Sequence, residues 1–325
     1  GRGATTAPAA GTAPATVGPV GTGPGTVTTA PVTTARYARW DGVGTPFRLV
    51  TTALGAPGPG EVLVAVDLAT VCGSDLHTTR GHRSSPVPGV LGHEQVGRVV
   101  ATAPGLRHVD RAPVRTGDRI VFSVAASCGE CRRCRRGIPQ KCADLHKYGH
   151  APLDEARPLT GGFATHCLLA PGTATVVVPP AVPDEVAAPA SCATATVAAV
   201  LDAAGSPGPG TRVLVTGAGM LGVTAAAMAS RAGAEVVVAD PYDWKEIATG
   251  SVDVVTCSEV FEHAEYFWIT ILEISRVLKG NGLAFITSPG GGPRHRFPVD
   301  CWRFYDDAFP ALARYAGLNL LEAQV

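Results

Sequence analysis

The chain has 325 residues, a formal net charge of zero, 46% hydrophobic and 17% charged residues. That length suits two ordinary domains with a large core, and the balanced charge gives no electrostatic pull toward nucleic acid or an anionic membrane surface. No apolar run reaches the roughly 18 residues that a membrane span needs, and the N-terminus carries no continuous apolar stretch of the signal-peptide kind.

Residues 1–35 contain only Ala, Thr, Gly, Pro and Val apart from Arg2. With no apolar periodicity and no aromatic side chain, this segment is expected to be disordered. From Arg36 onward, short apolar runs are separated by Gly and Pro. "EVLVAVDLATV" (61–71), "GRVVATA" (97–103), "DRIVFSV" (118–124) and "ATVVVPP" (174–180) predict strands of a β-rich, barrel-like domain over residues 36–184. Residues 182–205 predict a helix interrupted at Pro189. "TRVLVTGAGMLGVTAAAMASRAGAEVVVAD" (211–240) predicts a strand, a Gly-rich turn, a helix and a second strand.

Past residue 240 the composition changes. The first 240 residues hold six aromatics and the last 85 hold thirteen, while basic and acidic counts move from 20 and 16 to 7 and 11. So abrupt a change inside a β-α-β unit suggests a join. "VDVVTCSEV" (252–260) and "GLAFITSPG" (282–290) predict two further buried strands, and "FWITILEISRVL" (267–278) the helix between them, with Ile271, Ile274 and Leu278 on one face. Residues 185–325 are therefore expected to form one Rossmann-like, doubly wound parallel sheet, and the fold class is α/β.

Four of the nine cysteines, Cys128, Cys131, Cys134 and Cys142, follow C-x2-C-x2-C-x7-C. Four thiolates this close can close a tetrahedron around structural zinc, and without metal the Arg-rich lobe has little core to hold its shape. An iron–sulfur cluster is the competing reading. Metal-ligand spacing in place of scattered disulfide partners points to a reducing cytoplasm. The interleaved Arg132, Arg133, Arg135 and Arg136 suit phosphate binding or, as basic runs more often do, a solvated face.

A second constellation is dispersed: Cys72, Ser74, Asp75 and His77 in "TVCGSDLH", His93 and Glu94 in "VLGHEQVG", and Cys192 in "APASCATAT". Singly, each cysteine reads as a small buried hydrophobe and His93 as a satisfied core histidine. Together, two thiolates and one imidazole make a catalytic zinc set with an open fourth position. Gly217, Gly219 and Gly222 in "GAGMLG" give G-x-G-x-x-G between a strand and a helix, with Asp240 ending the next strand. That context suits a dinucleotide pyrophosphate, and an acid at Asp240 favours the ribose hydroxyl of NAD over the extra phosphate of NADP.

"CGSDLH", "GHE", the four-Cys knuckle and "GAGMLG" together resemble the zinc-dependent medium-chain alcohol dehydrogenases over residues 36–240. The resemblance implies a GroES-like β domain carrying a catalytic and a structural zinc, followed by a Rossmann domain for the coenzyme. It implies Cys72, His93 and Cys192 as catalytic ligands, with Glu94 able to approach the metal. Asp75 would orient the imidazole, and Ser74 and His77 would carry the alcohol proton outward. The substrate would be a small alcohol or aldehyde; "TTRGHRSSPVPGVLGHE" also resembles a phosphonate-associated branch of that family. Neither a nucleic-acid nor a membrane partner is expected, and oligomerisation is left open.

"SVDVVTCSEVFEHAEYFWITILEISRVLKGNGLAFITSPG" and "HRFPVDCWRFYDDAF" resemble the later half of a class I S-adenosylmethionine-dependent methyltransferase, over residues 241–325. The methyl-donor loop of that family starts from an acid and reads acid-x-G-x-G-x-G; Val215 and Leu221 stand where its acid and last glycine belong. The expectation is a zinc- and NAD-dependent dehydrogenase in which a methyltransferase-like segment replaces the later Rossmann half and its nicotinamide loops, impairing turnover. The alternatives are a methyltransferase-like protein and a non-catalytic, zinc-stabilised chimera.

Overall fold

The computed structural model describes residues 33–239, 242, 244–291, 294, 296 and 299–323. The expected disorder of residues 1–32 and the acid at Asp240 lie outside them. Strand β1 (Thr34–Trp40) pairs antiparallel with β2 (Arg48–Ala53). Order therefore begins before Arg36, which corrects the expected boundary. Ala35 and Tyr37 alternate inward, opposite Thr52 and Val50, and Ala35 is 1% exposed.

The β-rich part continues through β3 (Val62–Thr70), the short helix α1 (Gly73–Thr79), β4 (Gly89–Val90), β5 (Glu94–Thr102), β6 (Arg119–Phe122) and β7 (Ala125–Ala126). A four-residue helix α2 (Arg132–Arg135) then precedes β8 (His146–Lys147), β9 (His166–Leu169) and β10 (Thr175–Val177). The main sheet is antiparallel in the order β10-β6-β5-β3-β9, with Val64, Ile120, Cys167 and Leu169 fully buried against it. β5 starts at Glu94, three residues before the predicted run, and its register with β3 sets Thr70 opposite Glu94. That pairing positions the site.

Helix α3 (Asp184–Ala187), a 3-10 turn (Ala188–Ser191) and α4 (Ala193–Ala203) realise the interrupted helix around Pro189. Then follow β11 (Arg212–Thr216), α5 (Met220–Arg231), β12 (Glu235–Ala239), β13 (Val252–Ser258), α6 (Phe267–Val277), β14 (Leu278–Thr287) and α7 (Ala308–Ala316). The four strands form one parallel sheet in the order β12-β11-β13-β14. The sheet therefore does continue past residue 240. Leu278 belongs to β14 and not to the helix face expected for it. It pairs with Val252, and Val277 takes the inward position beside Ile271 and Ile274.

One face of this sheet packs α4 and α5 through Val197, Val213, Val215 and Ala225; the other packs α6 and α7 through Val255, Ile271, Ile274 and Ala316. The link from β12 to β13 crosses β11 with no helix among its described residues, although parallel crossovers usually carry one. Trp244 and Ile247 fill that place, 1% and 5% exposed. Arg276 on α6, held by Glu273, donates to the Trp244 and Ile247 carbonyls at 2.9 and 2.8 Å. No single described helix is long and apolar enough to cross a membrane.

Candidate active site

Cys72 leaves the end of β3 and opens α1. Its N–H donates to Asp75 Oδ2 at 2.9 Å, so the first turn of the helix fixes the thiol. The β3–β5 register brings the loop before Glu94 alongside, and Cys192, between the 3-10 turn and α4, completes the group. One donor atom each of Cys72, His93, Glu94 and Cys192 lies within 4.8 Å of the others. Asp75, fully buried, sets an oxygen 3.6 Å from His93 Nδ1, leaving Nε2 toward the cluster; Ser74 Oγ lies 3.5 Å from Nε2. Thr70 Oγ1 donates to Glu94 Oε2 at 2.9 Å.

The four groups shift one another's protonation strongly. A hydrogen bond with Cys192 leads the effects that push the Cys72 thiol down to about 3, against the burial that raises it; the same bond pushes Cys192 far up. The pair thus shares one proton, which a metal would displace. Burial pulls the His93 imidazole down, but hydrogen bonds with Asp75 and Cys72 outweigh it and raise it to about 9. Burial also raises Glu94.

Cys128, Cys131, Cys134 and Cys142 likewise place their sulfurs within 4.8 Å of one another. Ligands about 2.0–2.3 Å from one ion stand roughly 3.3–3.8 Å apart in a tetrahedron; Cys142 and Cys128 are 3.4 Å apart, and Cys131 and Cys142 are 4.0 Å apart. Backbone N–H groups of Cys128, Cys131 and Cys134 point at sulfurs of the cluster. Hydrogen bonds from the backbone at Ala143 and Cys134 lower the Cys131 thiol to about 6, while burial and hydrogen bonds with Cys131 and Cys142 push Cys134 up to about 12. All four arginines of the run lie exposed, as a solvated face requires.

The Gly-rich turn joins β11 to α5. Gly217 takes φ +88°, which favours glycine. A Cβ on Gly222 would lie 2.1 Å from the Gly217 carbonyl oxygen, so helix and strand pack here only without a side chain; a Cβ on Gly219 would meet nothing within 4 Å. The turn is therefore open at Gly219.

Residues 58–184 match the alcohol dehydrogenase GroES-like domain family. The front of the chain is therefore similar to that domain. Residues 201–286 match a methyltransferase domain, a span that begins upstream of the expected join and takes in the Gly-rich turn. Over 255 residues the chain is 30% identical to an L-threonine 3-dehydrogenase of Pyrococcus abyssi, covering 76% of this chain and 66% of that protein. The homologue from Deinococcus deserti is 36% identical over 205 residues, 61% of this chain and 54% of that protein. The chain thus spans less than two thirds of the length of either. A crystal structure of an alcohol dehydrogenase from Thermotoga maritima shares the fold, with a TM-score of 0.69 and 24% identity over 86% of this chain and 83% of that one.

The structure gathers Cys72, His93, Glu94 and Cys192, with Ser74 and Asp75 around them. His77 sits one turn beyond Ser74 on α1, half-buried, outside the four-donor group. One residue of this site escaped the sequence reading. The ring of His150 lies 5.3 Å from that of His93, centroid to centroid. The signal was the histidine in "KYGH", directly after the Cys knuckle, with a glycine before it that permits close approach.

Proposed function

We propose that the chain is a zinc-dependent oxidoreductase that moves a hydride between a small alcohol and NAD. The observation that carries this reading is the convergence of two thiols, an imidazole and a carboxylate within 4.8 Å, in the same chain as an open G-x-G-x-x-G turn. Cys72, His93 and Cys192 would hold the metal, with Glu94 at its side, and Cys128, Cys131, Cys134 and Cys142 would hold a structural ion. Zinc in the first site supplies Lewis acidity toward an alcohol oxygen, and NAD supplies the hydride acceptor.

The chain's own groups do the rest. The Asp75 carboxylate, 3.6 Å from His93 Nδ1, favours the orientation in which Nε2 faces inward. Ser74 Oγ, next to Nε2, receives the alcohol proton, and His77 passes it outward. Gly219 leaves room for the pyrophosphate at the start of α5, and Asp240 takes the ribose hydroxyls. The nine free cysteines suit a reducing, cytoplasmic setting.

A second reading has its own support: the methyltransferase match over residues 201–286 makes the same crevice a candidate for S-adenosylmethionine. Titration of the full chain with NADH and with S-adenosylmethionine separates the two. The dehydrogenase reading expects NADH to bind and Cys72→Ser to abolish turnover while leaving that binding intact. Binding of the methyl donor alone, or turnover that survives Cys72→Ser, overturns it. Two zincs, weak NADH binding and no turnover of any alcohol would leave the non-catalytic, zinc-stabilised scaffold.

A further inference from the structure

Among the described residues, the parallel sheet ends on a strand with one side unpaired. In the common doubly wound order, 3-2-1-4-5-6, the strand reached from the Gly-rich turn through its helix is covered by a third strand. Here the order β12-β11-β13-β14 corresponds to 2-1-4-5. The chain passes from β12 to β13 across the Trp244 crossover, and no described strand takes the third place. The ladder to β11 fixes which groups are left over. Glu235 N–H donates to the Thr211 carbonyl and Gly217 N–H donates to the Ala239 carbonyl, so Glu235, Val237 and Ala239 turn their backbone groups toward β11. By alternation, the N–H and C=O of Val236 and Val238 point out of the sheet.

Edge strands are usually blunted by lysine, proline or bulges. β14, at the other edge, carries Lys279, Gly280 and Gly282, and its register with β13 shifts between Val252 and Val254. β12 carries none of these. Its sequence is Glu-Val-Val-Val-Ala, its register with β11 is unbroken, and Val238 is 53% exposed. The surface beside it is apolar too. Tyr242, just past β12, is 40% exposed, with its ring 6.2 Å from that of Tyr266. Ile269 and Leu272 are exposed on the stripe of α6 that turns Arg276 to the crossover.

We propose that the outer edge of β12 is the interface for a second copy of this chain, paired antiparallel about a two-fold axis through Val237. The edge is complementary to itself. Val236 and Val238 flank Val237 symmetrically, so each Val236 exchanges N–H and C=O bonds with Val238 of the other copy, and every outward backbone group is satisfied. This register sets Glu235 opposite Ala239. A parallel pairing in register would set Glu235 opposite Glu235, and like charges directly opposite are destabilising. A five-residue edge is about 17 Å long. With Tyr242 and the flanking side chains it can bury on the order of 600–800 Å² per partner, at the lower end of what a stable dimer needs. Self-association is therefore expected at micromolar concentration. The interface depends on the strand order and not on the dehydrogenase reading.

The test is sedimentation velocity of the full chain from about 1 to about 100 µM, with hydrogen exchange read by NMR at both ends of that range. A reversible monomer–dimer equilibrium is expected, and the Val236 and Val238 amides should exchange about tenfold more slowly at the high end. Val238→Pro removes the outward N–H and leaves the bonds of Val237 and Ala239 to β11. It should weaken the dimer about tenfold or more, with little change in the unfolding midpoint at the low end. Val238→Lys, which places a charge on the edge without touching the backbone, should weaken the dimer as much. A chain that stays monomeric at about 100 µM overturns the proposal. So does a dimer whose Val236 and Val238 amides stay unprotected, and so does a dimer of wild-type strength in folded Val238→Pro and Val238→Lys. Amides protected equally at every concentration would mean that another segment of the same chain covers the edge, which overturns it as well.

Discussion

Gly219 and Gly222 make opposite demands on the same turn, and alanine at each separates ligand binding from folding. At Gly219 the backbone is extended (φ −72°, ψ −178°), so any residue can adopt it, and the new methyl would meet nothing within 4 Å. The N-cap preference lost on going from Gly to Ala costs about 0.5–1 kcal/mol. Reduced freedom of the unfolded chain returns about 0.4–1 kcal/mol. The net change in stability should stay below about 1 kcal/mol. On the dehydrogenase reading proposed above, the methyl nevertheless stands where the pyrophosphate comes against the backbone, and NADH affinity should fall about tenfold or more. Gly222→Ala behaves differently. Its Cβ would lie 2.1 Å from the Gly217 oxygen, closer than the 3.0 Å limit that real Cβ contacts respect. The neighbour is backbone and must shift by nearly an ångström, so overpacking of about 1–3 kcal/mol or more is expected. Urea unfolding and a fluorescence titration with NADH read both effects. Wild-type NADH affinity in Gly219→Ala, or wild-type stability in Gly222→Ala, would refute the reasoning.

Removing the Trp244 side chain should cost about 3–5 kcal/mol, because the residue is 1% exposed and plugs the helix-free crossover; urea unfolding at neutral pH measures it. Metal analysis should find two zincs per chain, and one in Cys142→Ser, with a lower melting temperature for that variant. Asp253 is held below the usual carboxylate range chiefly by the hydrogen bonds from Lys279, and Glu273 by those from Arg276. Because the folded values are lowered, their contribution to stability is full above about pH 4–5 and is lost as pH falls further through the acid range. Denaturation midpoints at pH 7 and pH 3 should therefore draw closer together in Lys279→Met than in the wild-type chain.

Much of the fold was legible because its signals are local. Alternation in "EVLVAVDLATV" encodes β3, and a strand–glycine–helix run encodes β11, the turn and α5. The start of β1 was hidden because Thr34 and Ala35 match the composition of the segment before them; only pairing with β2 reveals them as strand. The end of α6 was hidden because Leu278 is apolar in either element, and its partner Val252 lies 26 residues upstream. In the site, each residue that sits in a recognisable word was found. His150 was missed because its role comes from a loop contact between Gly149 and Gly92, which leaves no periodic trace.

The strand order β12-β11-β13-β14 explains why a change of residue usage at 240 need not destroy a nucleotide crevice. In a doubly wound sheet the ligand lies where the chain leaves adjacent strands in opposite directions, at their carboxyl ends. Here that point falls between β11, which leads through α5 to β12, and β13, which leads through α6 to β14. The crossover from β12 runs on the face stopped by Trp244 and Arg276, so its lack of a helix is a matter of stability and not of the crevice. One wall of the crevice is the Gly217–Gly222 turn at the end of β11. The other wall begins with Val260, whose methyl lies 3.7 Å from the Cβ position at Gly217. A coenzyme seated there would lie between the Gly-rich turn and Val260, both within the span that matches the methyltransferase domain. Any shortfall in turnover should therefore appear as NADH that binds without delivering hydride, and substitutions at Val260, more than at Gly219, should alter the rate at saturating coenzyme.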